Sequence, residues 1–362
     1  MSPYPRKRTI RNLCGSLFLC LSLCQCFTLP QSSEYQGPSP RTEQLEDYYS
    51  AKSQAQSFSS EVITRGKRIT VEEILIQTSY GEIKATYYSS GRSSDDLILV
   101  FPLLGGKNLV VDYFAAYFAR HGFDAAIIHR NDDFKDPARF DQLEELLRAN
   151  VLRDRLAMDF FERYRGKRHF GSFGISRGAI NAVMTAAADK RLKYNVFALG
   201  GSDLARIFKH SNQRRLRRYR ESVMQEKNLS EQEFYELLKR RLHSDPKYLA
   251  KYIDARNSKL ILSLLDKTVP IQFGIKLRSQ LGKPETVFLL ADHYLGFLYT
   301  GIIQILPAAS GISLFPFDYI EREALVFYEQ RFKGKSGSCA LLPFRVVQFP
   351  LRLLGHLIET IW

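Results

Sequence analysis

Cysteine is nearly absent from the body of this chain. Four of its five cysteines, Cys14, Cys20, Cys24 and Cys26, lie in the first thirty residues, and only Cys339 lies beyond them. That spacing excludes an internal disulfide framework. It also excludes a zinc site built on paired C-x-x-C segments, and no metal is expected. Zinc-finger spacing, an RNA-recognition signature and a basic-region heptad are all missing, which weighs against nucleic acid as a partner. Internal repeats are missing too. What the chain has in excess is positive charge, formally +14, with a sequence pI near 9.5. Such a balance suits an acidic surface, anionic lipid among them. With 362 residues, 45% of them hydrophobic, there is enough material for one large core or two small ones.

The ends carry their own signals. Arg6-Lys7-Arg8 and Arg11 precede an apolar run from Leu13 to Leu29, the layout of a secretory signal or a membrane anchor over residues 1–30. Leu21-Ser22-Leu23-Cys24 resembles a bacterial lipoprotein processing site, with Leu23 where a small residue is usual. Lipidation would fall on Cys24 or Cys26. The expected location is therefore the cell envelope, membrane-associated, or outside the cell. Residues 31–60 are polar and lack an apolar period, so they read as a disordered linker. The tail, residues 336–362, is apolar and broken by Pro343 and Pro350. Its last stretch fits an amphipathic helix ending in Trp362, or a segment docked on the domain's own surface.

Between these ends, residues 61–335 alternate strands with helices. Strands are predicted at Ile69–Gln77, Glu82–Ser89, Asp96–Phe101, Asp124–His129, His169–Phe173, Val196–Gly200, Lys259–Leu265 and Glu285–Leu290. Helical spacing fills Leu109–His121, Arg139–Arg165 and Ile320–Phe332. Alternation of this kind predicts a mostly parallel central sheet with helices on both faces. It breaks at about residues 205–255, where no strand is found. The basic run Arg214-Arg215-Leu216-Arg217-Arg218-Tyr219-Arg220, a capping box at Ser230 and Glu233, and Asp245-Pro246 predict a helical cap there. The basic run reads as a solvated helix face or as a contact with a membrane surface.

The densest chemical signal is Gly174-Ile175-Ser176-Arg177-Gly178, a G-x-S-x-G turn between a strand and a helix. Ser176 would stand at a helix N-terminus, where free N–H groups favour developing negative charge. Two later strand ends carry Asp266 and His293. In a parallel sheet such ends share one edge, so these residues can meet. A serine needs a base to take its proton, and a carboxylate fixes the tautomer of that base. Asp203, one strand earlier, is the competing acid. His129 ends a strand on the same edge.

These segments resemble the α/β-hydrolase superfamily over roughly residues 61–333. The resemblance rests on Pro102-Leu103-Leu104-Gly105-Gly106, the Ser176 turn, Asp266-Lys267-Thr268-Val269-Pro270, and the approach to His293-Tyr294. It implies an α/β-hydrolase fold with a helical cap inserted before the acid-bearing strand. It also implies a serine nucleophile at Ser176, an acid at Asp266 and a general base at His293. The oxyanion hole would be the N–H of Arg177 with that of Leu104, or Leu103 as second choice. No cofactor is implied. The expected activity is hydrolysis of a small-molecule or lipid carboxylic ester through an acyl-enzyme. Peptidase, thioesterase and acyltransferase remain alternatives, as does a non-catalytic binding protein on the same fold. Pro102-Leu103 stands where many members have His-Gly, and Asp292 where Gly commonly precedes the histidine.

Overall fold

The computed structural model describes residues 28–50, 55–66, 69–92, 94–130, 132–302 and 318–335, with 341, 345, 350–352, 354–355 and 357–359 of the tail. The signal or anchor run up to residue 27, residues 303–317, Cys339 and Trp362 lie outside the described residues.

Nine strands form one sheet. They are β1 (Ser57–Arg65), β2 (Thr70–Thr78), β3 (Gly81–Ser89), β4 (Asp96–Phe101), β5 (Asp124–Ile128), β6 (His169–Ile175), β7 (Leu192–Ala198), β8 (Ser258–Ser263) and β9 (Glu285–Leu289). Their spatial order is β1-β2-β3-β5-β4-β6-β7-β8-β9. The first three pair antiparallel and β3 meets β5 antiparallel; every pairing from β5 through to β9 is parallel. The inner strands are buried on both faces, so they read as unbroken apolar runs in sequence. In β4, Leu97, Leu99 and Phe101 join the core on one side of the sheet, and Ile98 and Val100 the core on the other.

Each face has its own helices. On one lie α2 (Leu109–Arg120) and α10 (Tyr319–Lys333). On the other lie α3 (Leu143–Arg165), α4 (Arg177–Ala188) and α9 (Ile271–Gln280). Asn108 caps α2 by accepting from the Val110 and Val111 amides, and Gly166, in the left-handed region at φ 65°, ends α3. Between β7 and β8 stand α5 (Leu204–His210), α6 (Arg214–Glu226), α7 (Glu231–Arg241) and the single turn α8 (Pro246–Leu249). The capping box of Ser230 and Glu233 starts α7.

Two readings of the sequence need correction. Strand β1 precedes the expected start of the folded body; all nine of its residues are exposed, so it carries no buried-face alternation to read. And residues 31–50 are not a disordered linker. They hold a short helix, α1 (Glu43–Tyr48), and pack through Leu45 and Tyr49. Arg41 donates to the Ala186 and Ala187 carbonyls at the end of α4, and Glu144 accepts from Tyr48 and from Ser244. Hydrogen bonds and two apolar anchors hold this stretch, and neither leaves a hydrophobic period.

The β9 edge is covered rather than open. Leu29 bridges to Thr286, and Gly355 of the tail lies against Phe288, where a Cβ would meet the ring at 2.3 Å. Arg345 binds Glu323, which is fully buried and also takes Lys259 at 2.7 Å. The described part of the tail is thus tied to the domain by a buried charge triad. Among the described residues, no helix is long and apolar enough to cross a membrane.

Candidate active site

The site is built where β6 turns into α4. Ser176 sits between them with φ 57° and ψ −124°, a conformation that non-glycine residues rarely adopt. Its amide donates to Ala198 O at 2.8 Å, which anchors the turn to β7. The glycines flanking it have no room for a side chain. A Cβ on Gly174 would lie 2.5 Å from the Gly178 backbone, and one on Gly178 would lie 2.4 Å from Phe101 O. The helix can therefore start this close to the sheet only with glycine at both places.

Asp266 follows β8 and His293 follows β9. Asp266 Oδ1 accepts from the Thr268 and Val269 amides, both at 2.8 Å, which locks the carboxylate. Its Oδ2 lies 2.6 Å from His293 Nδ1, and His293 Nε2 lies 2.8 Å from Ser176 Oγ. An ionised carboxylate only accepts, so Nδ1 carries the ring proton. Nε2 is then the acceptor facing the Ser176 hydroxyl. Asp266 and His293 are both buried. The three residues singled out from sequence thus meet in one hydrogen-bonded line.

The other candidates fall elsewhere. Asp203 takes Lys276 at 2.5 Å, with Lys247 and Arg206 nearby, and is committed to that cationic group. Asp292 accepts from the Tyr294 and Leu295 amides and caps the turn after His293. His129 bonds Thr86 Oγ1 at 2.8 Å and does not reach the site's cavity. Burial, with Lys107 and Lys84 nearby, holds its ring down to about 4, so it is neutral at pH 7.

A cavity of about 210 Å³ opens over Ser176 and His293. Leu104, Phe134, Leu147, Ile180, Leu204 and Phe208 give it apolar walls, so both the body and the cap contribute. Leu103, Leu104 and Arg177 also line it. Among the described residues, the Arg177 and Leu104 amides donate to no carbonyl or side chain.

Arg177 stands out in the sequence only for its amide; the fold gives its side chain a place of its own. Both terminal guanidinium nitrogens are buried and have no hydrogen-bond partner among the described residues. The guanidinium stacks 4.8 Å from the Phe134 ring centroid. Burial, with Arg130 adding repulsion, pushes it down to about 9, and Asp132 opposes the shift. The only signal in sequence was an arginine directly after the turn serine.

No protein-family profile matches the sequence, and no curated protein matches it. Solved structures do match the fold. Acetyl xylan esterase 1 from Thermoanaerobacterium sp. JW/SL YS485 is similar at TM-score 0.53 and 15% identity, over 79% of this chain and 96% of its own. Acetyl xylan esterase from Paenibacillus sp. R4 is similar at 0.50 and 17%, over 73% and 92%. Carboxyl esterase 2 from the fungus Tuber melanosporum is similar at 0.50 and 16%, over 76% and 89%.

The fold is that of the α/β-hydrolases.

That agrees with the resemblance drawn from the turn and strand ends. Of the inserted helices, α5 and α6 reach the cavity over Ser176, through Leu204, Ile207 and Phe208 and through Arg215 and Leu216.

Proposed function

We propose that this α/β-hydrolase is a serine hydrolase of carboxylic esters. The observation that carries the reading is the line Asp266–His293–Ser176, with separations of 2.6 and 2.8 Å, facing an apolar cavity. In this reading Ser176 Oγ attacks the ester carbonyl while His293 Nε2 takes its proton. Asp266 stabilises the imidazolium without itself being protonated. The Arg177 and Leu104 amides supply the donors for the oxyanion. His293 returns the proton to the departing alkoxide, and the same base then activates water against the acyl-enzyme. The esterases of similar fold favour an ester over a peptide or thioester.

The test is hydrolysis of p-nitrophenyl esters of graded acyl length by the full chain. The proposal expects turnover that Ser176→Ala abolishes. Turnover equal in Ser176→Ala, or none by folded protein on any ester, would refute it.

The apolar run before Leu29 supports a second part of the reading: export and membrane association, with an anchor at Cys24 or Cys26. Leu29 is docked on β9, so such an anchor would sit only three to five residues from the domain. Detergent phase partition of the full chain and of one starting at residue 28 checks this. Equal partition of both into water would reject it.

A further inference from the structure

The charged side chains that line the cavity have one sign. Arg177 and Arg215 line it, and no Asp or Glu does among the described residues. A second cavity of about 270 Å³ adjoins it and shares Leu104, Phe134, Phe208, Arg215 and Leu216. That one adds Lys135 and Arg218, again with no carboxylate among the described residues. Lys135 is paired with Asp132 at 2.5 Å. Arg215 and Arg218, on the cap helix α6, have no carboxylate partner among the described residues.

Beneath the cavity the excess continues. Arg130 donates through Nη1 to Asp154 at 2.8 Å, but its Nε and Nη2 have no partner among the described residues. Arg130 and Arg153 together face the buried Asp154, and Arg130 in turn repels Arg177, whose neighbouring carboxylate is Asp132. Buried donors without acceptors are costly, and this protein keeps two on Arg177, a residue that lines the cavity with its guanidinium nitrogens buried behind the surface. The Phe134 ring eases the cation on one face but accepts no ordinary hydrogen bond. Cations lining a low-dielectric cleft concentrate field there and draw anions in.

We infer that the cavity selects esters that carry an anionic group, a carboxylate or a phosphate, with Arg215 meeting it at the cap and the buried Arg177 guanidinium adding positive field from behind the wall. The basic run of α6 is then a specificity element facing inward as well as a solvated helix face. The inference rests on the hydrolase reading and deepens it by naming the substrate's charge.

The test compares matched pairs at low salt with the full chain. One pair is the p-nitrophenyl monoester of suberic acid against its terminal carboxamide, which differ in charge at nearly equal size. The other is phosphatidylglycerol against phosphatidylcholine vesicles of the same acyl chains, read as fatty-acid release. A preference of about tenfold in kcat/KM for the anionic member is expected in at least one pair. The pair that shows it identifies the group as a free carboxylate or a lipid phosphate. The preference should shrink with added salt, and should fall towards one in Arg215→Gln and in Arg177→Met. Turnover of both members with no anionic preference in either pair overturns this inference alone. An anionic preference that survives both substitutions overturns the assignment to these arginines. Failure to hydrolyse any of the four, by protein that turns over the uncharged p-nitrophenyl esters, overturns this inference alone; failure on those esters as well overturns the hydrolase reading with it.

Discussion

Gly178→Ala perturbs the site without touching any reacting group. The added Cβ would lie 2.4 Å from Phe101 O, 3.1 Å from Phe101 C and 3.2 Å from Pro102 O. All three are backbone atoms, so no rotamer change relieves the clash. An ordinary carbon contact is about 3.5 Å, so the start of α4 must retreat from the end of β4 by about 1 Å. Overpacking of this kind costs about 1–3 kcal/mol. Ser176 opens that same helix and its amide is fixed to β7, so the retreat displaces its hydroxyl from His293. A displacement of about 1 Å costs on the order of 100-fold in rate. The assays are thermal melting and the rate of fluorophosphonate labelling. Gly166→Ala is the control: Gly166 has φ 65°, but a Cβ there would meet nothing within 4 Å. That control should lose about 1 kcal/mol to backbone strain and label at the wild-type rate. If Gly178→Ala melts and labels like the wild type, the close approach of α4 to β4 does not hold the Ser176 hydroxyl in place.

Asp266→Asn keeps an oxygen for the Thr268 and Val269 amides but sets an NH₂ against His293 Nδ1. It should melt near the wild type and lose about 10⁴ in kcat, measured on an activated ester; a loss below tenfold would count against the tautomer role. Glu323→Gln leaves Lys259 and Arg345 buried around a neutral partner, and should cost about 3–5 kcal/mol in denaturant unfolding. Burial alone would raise the Glu323 carboxyl, but Lys259 and Arg345 outweigh it and hold it at about 2. Its contribution is therefore complete above the unfolded range near pH 4.3 and lost as pH falls through about 2, and the variant's acid limb should be flatter. Glu321 is the opposite case. Burial holds its carboxyl up at about 7, against hydrogen bonds from Tyr113 and the Gly301 amide. The native state keeps a proton that the unfolded chain has lost, so stability falls as pH rises from about 4.3 through about 7. Glu321→Gln should match the wild type near pH 4 and exceed it at pH 8 by on the order of 3 kcal/mol, in melts across that range; a variant less stable at pH 8 would reverse the sign.

The parallel half of the sheet was legible because its strands are buried on both faces. Leu97–Phe101 and the run before Asp266 admit little but a buried strand. Ser176, Asp266 and His293 were legible for a topological reason: parallel strands put their ends on one edge whatever the intervening sequence. What stayed hidden was held by other means. Strand β1 is an exposed edge, stabilised by its pairing to β2 and by Phe58 against Phe160 and Tyr164. Residues 31–50 pack by hydrogen bonds from Arg41 and Tyr48 to groups 146 and 96 residues away, and single residues of that kind leave no period. The Arg177 guanidinium was hidden because burial of one side chain beside Phe134 depends on loops that no local pattern specifies.

In the proposed mechanism Ser176 is a nucleophile activated by His293. Its most direct test is intact-protein mass spectrometry after reaction with a fluorophosphonate, followed by peptide mapping. A single adduct on Ser176 is expected, absent in Ser176→Ala and strongly slowed in His293→Ala. Folded protein that gains no adduct, or one on a different residue, would contradict it.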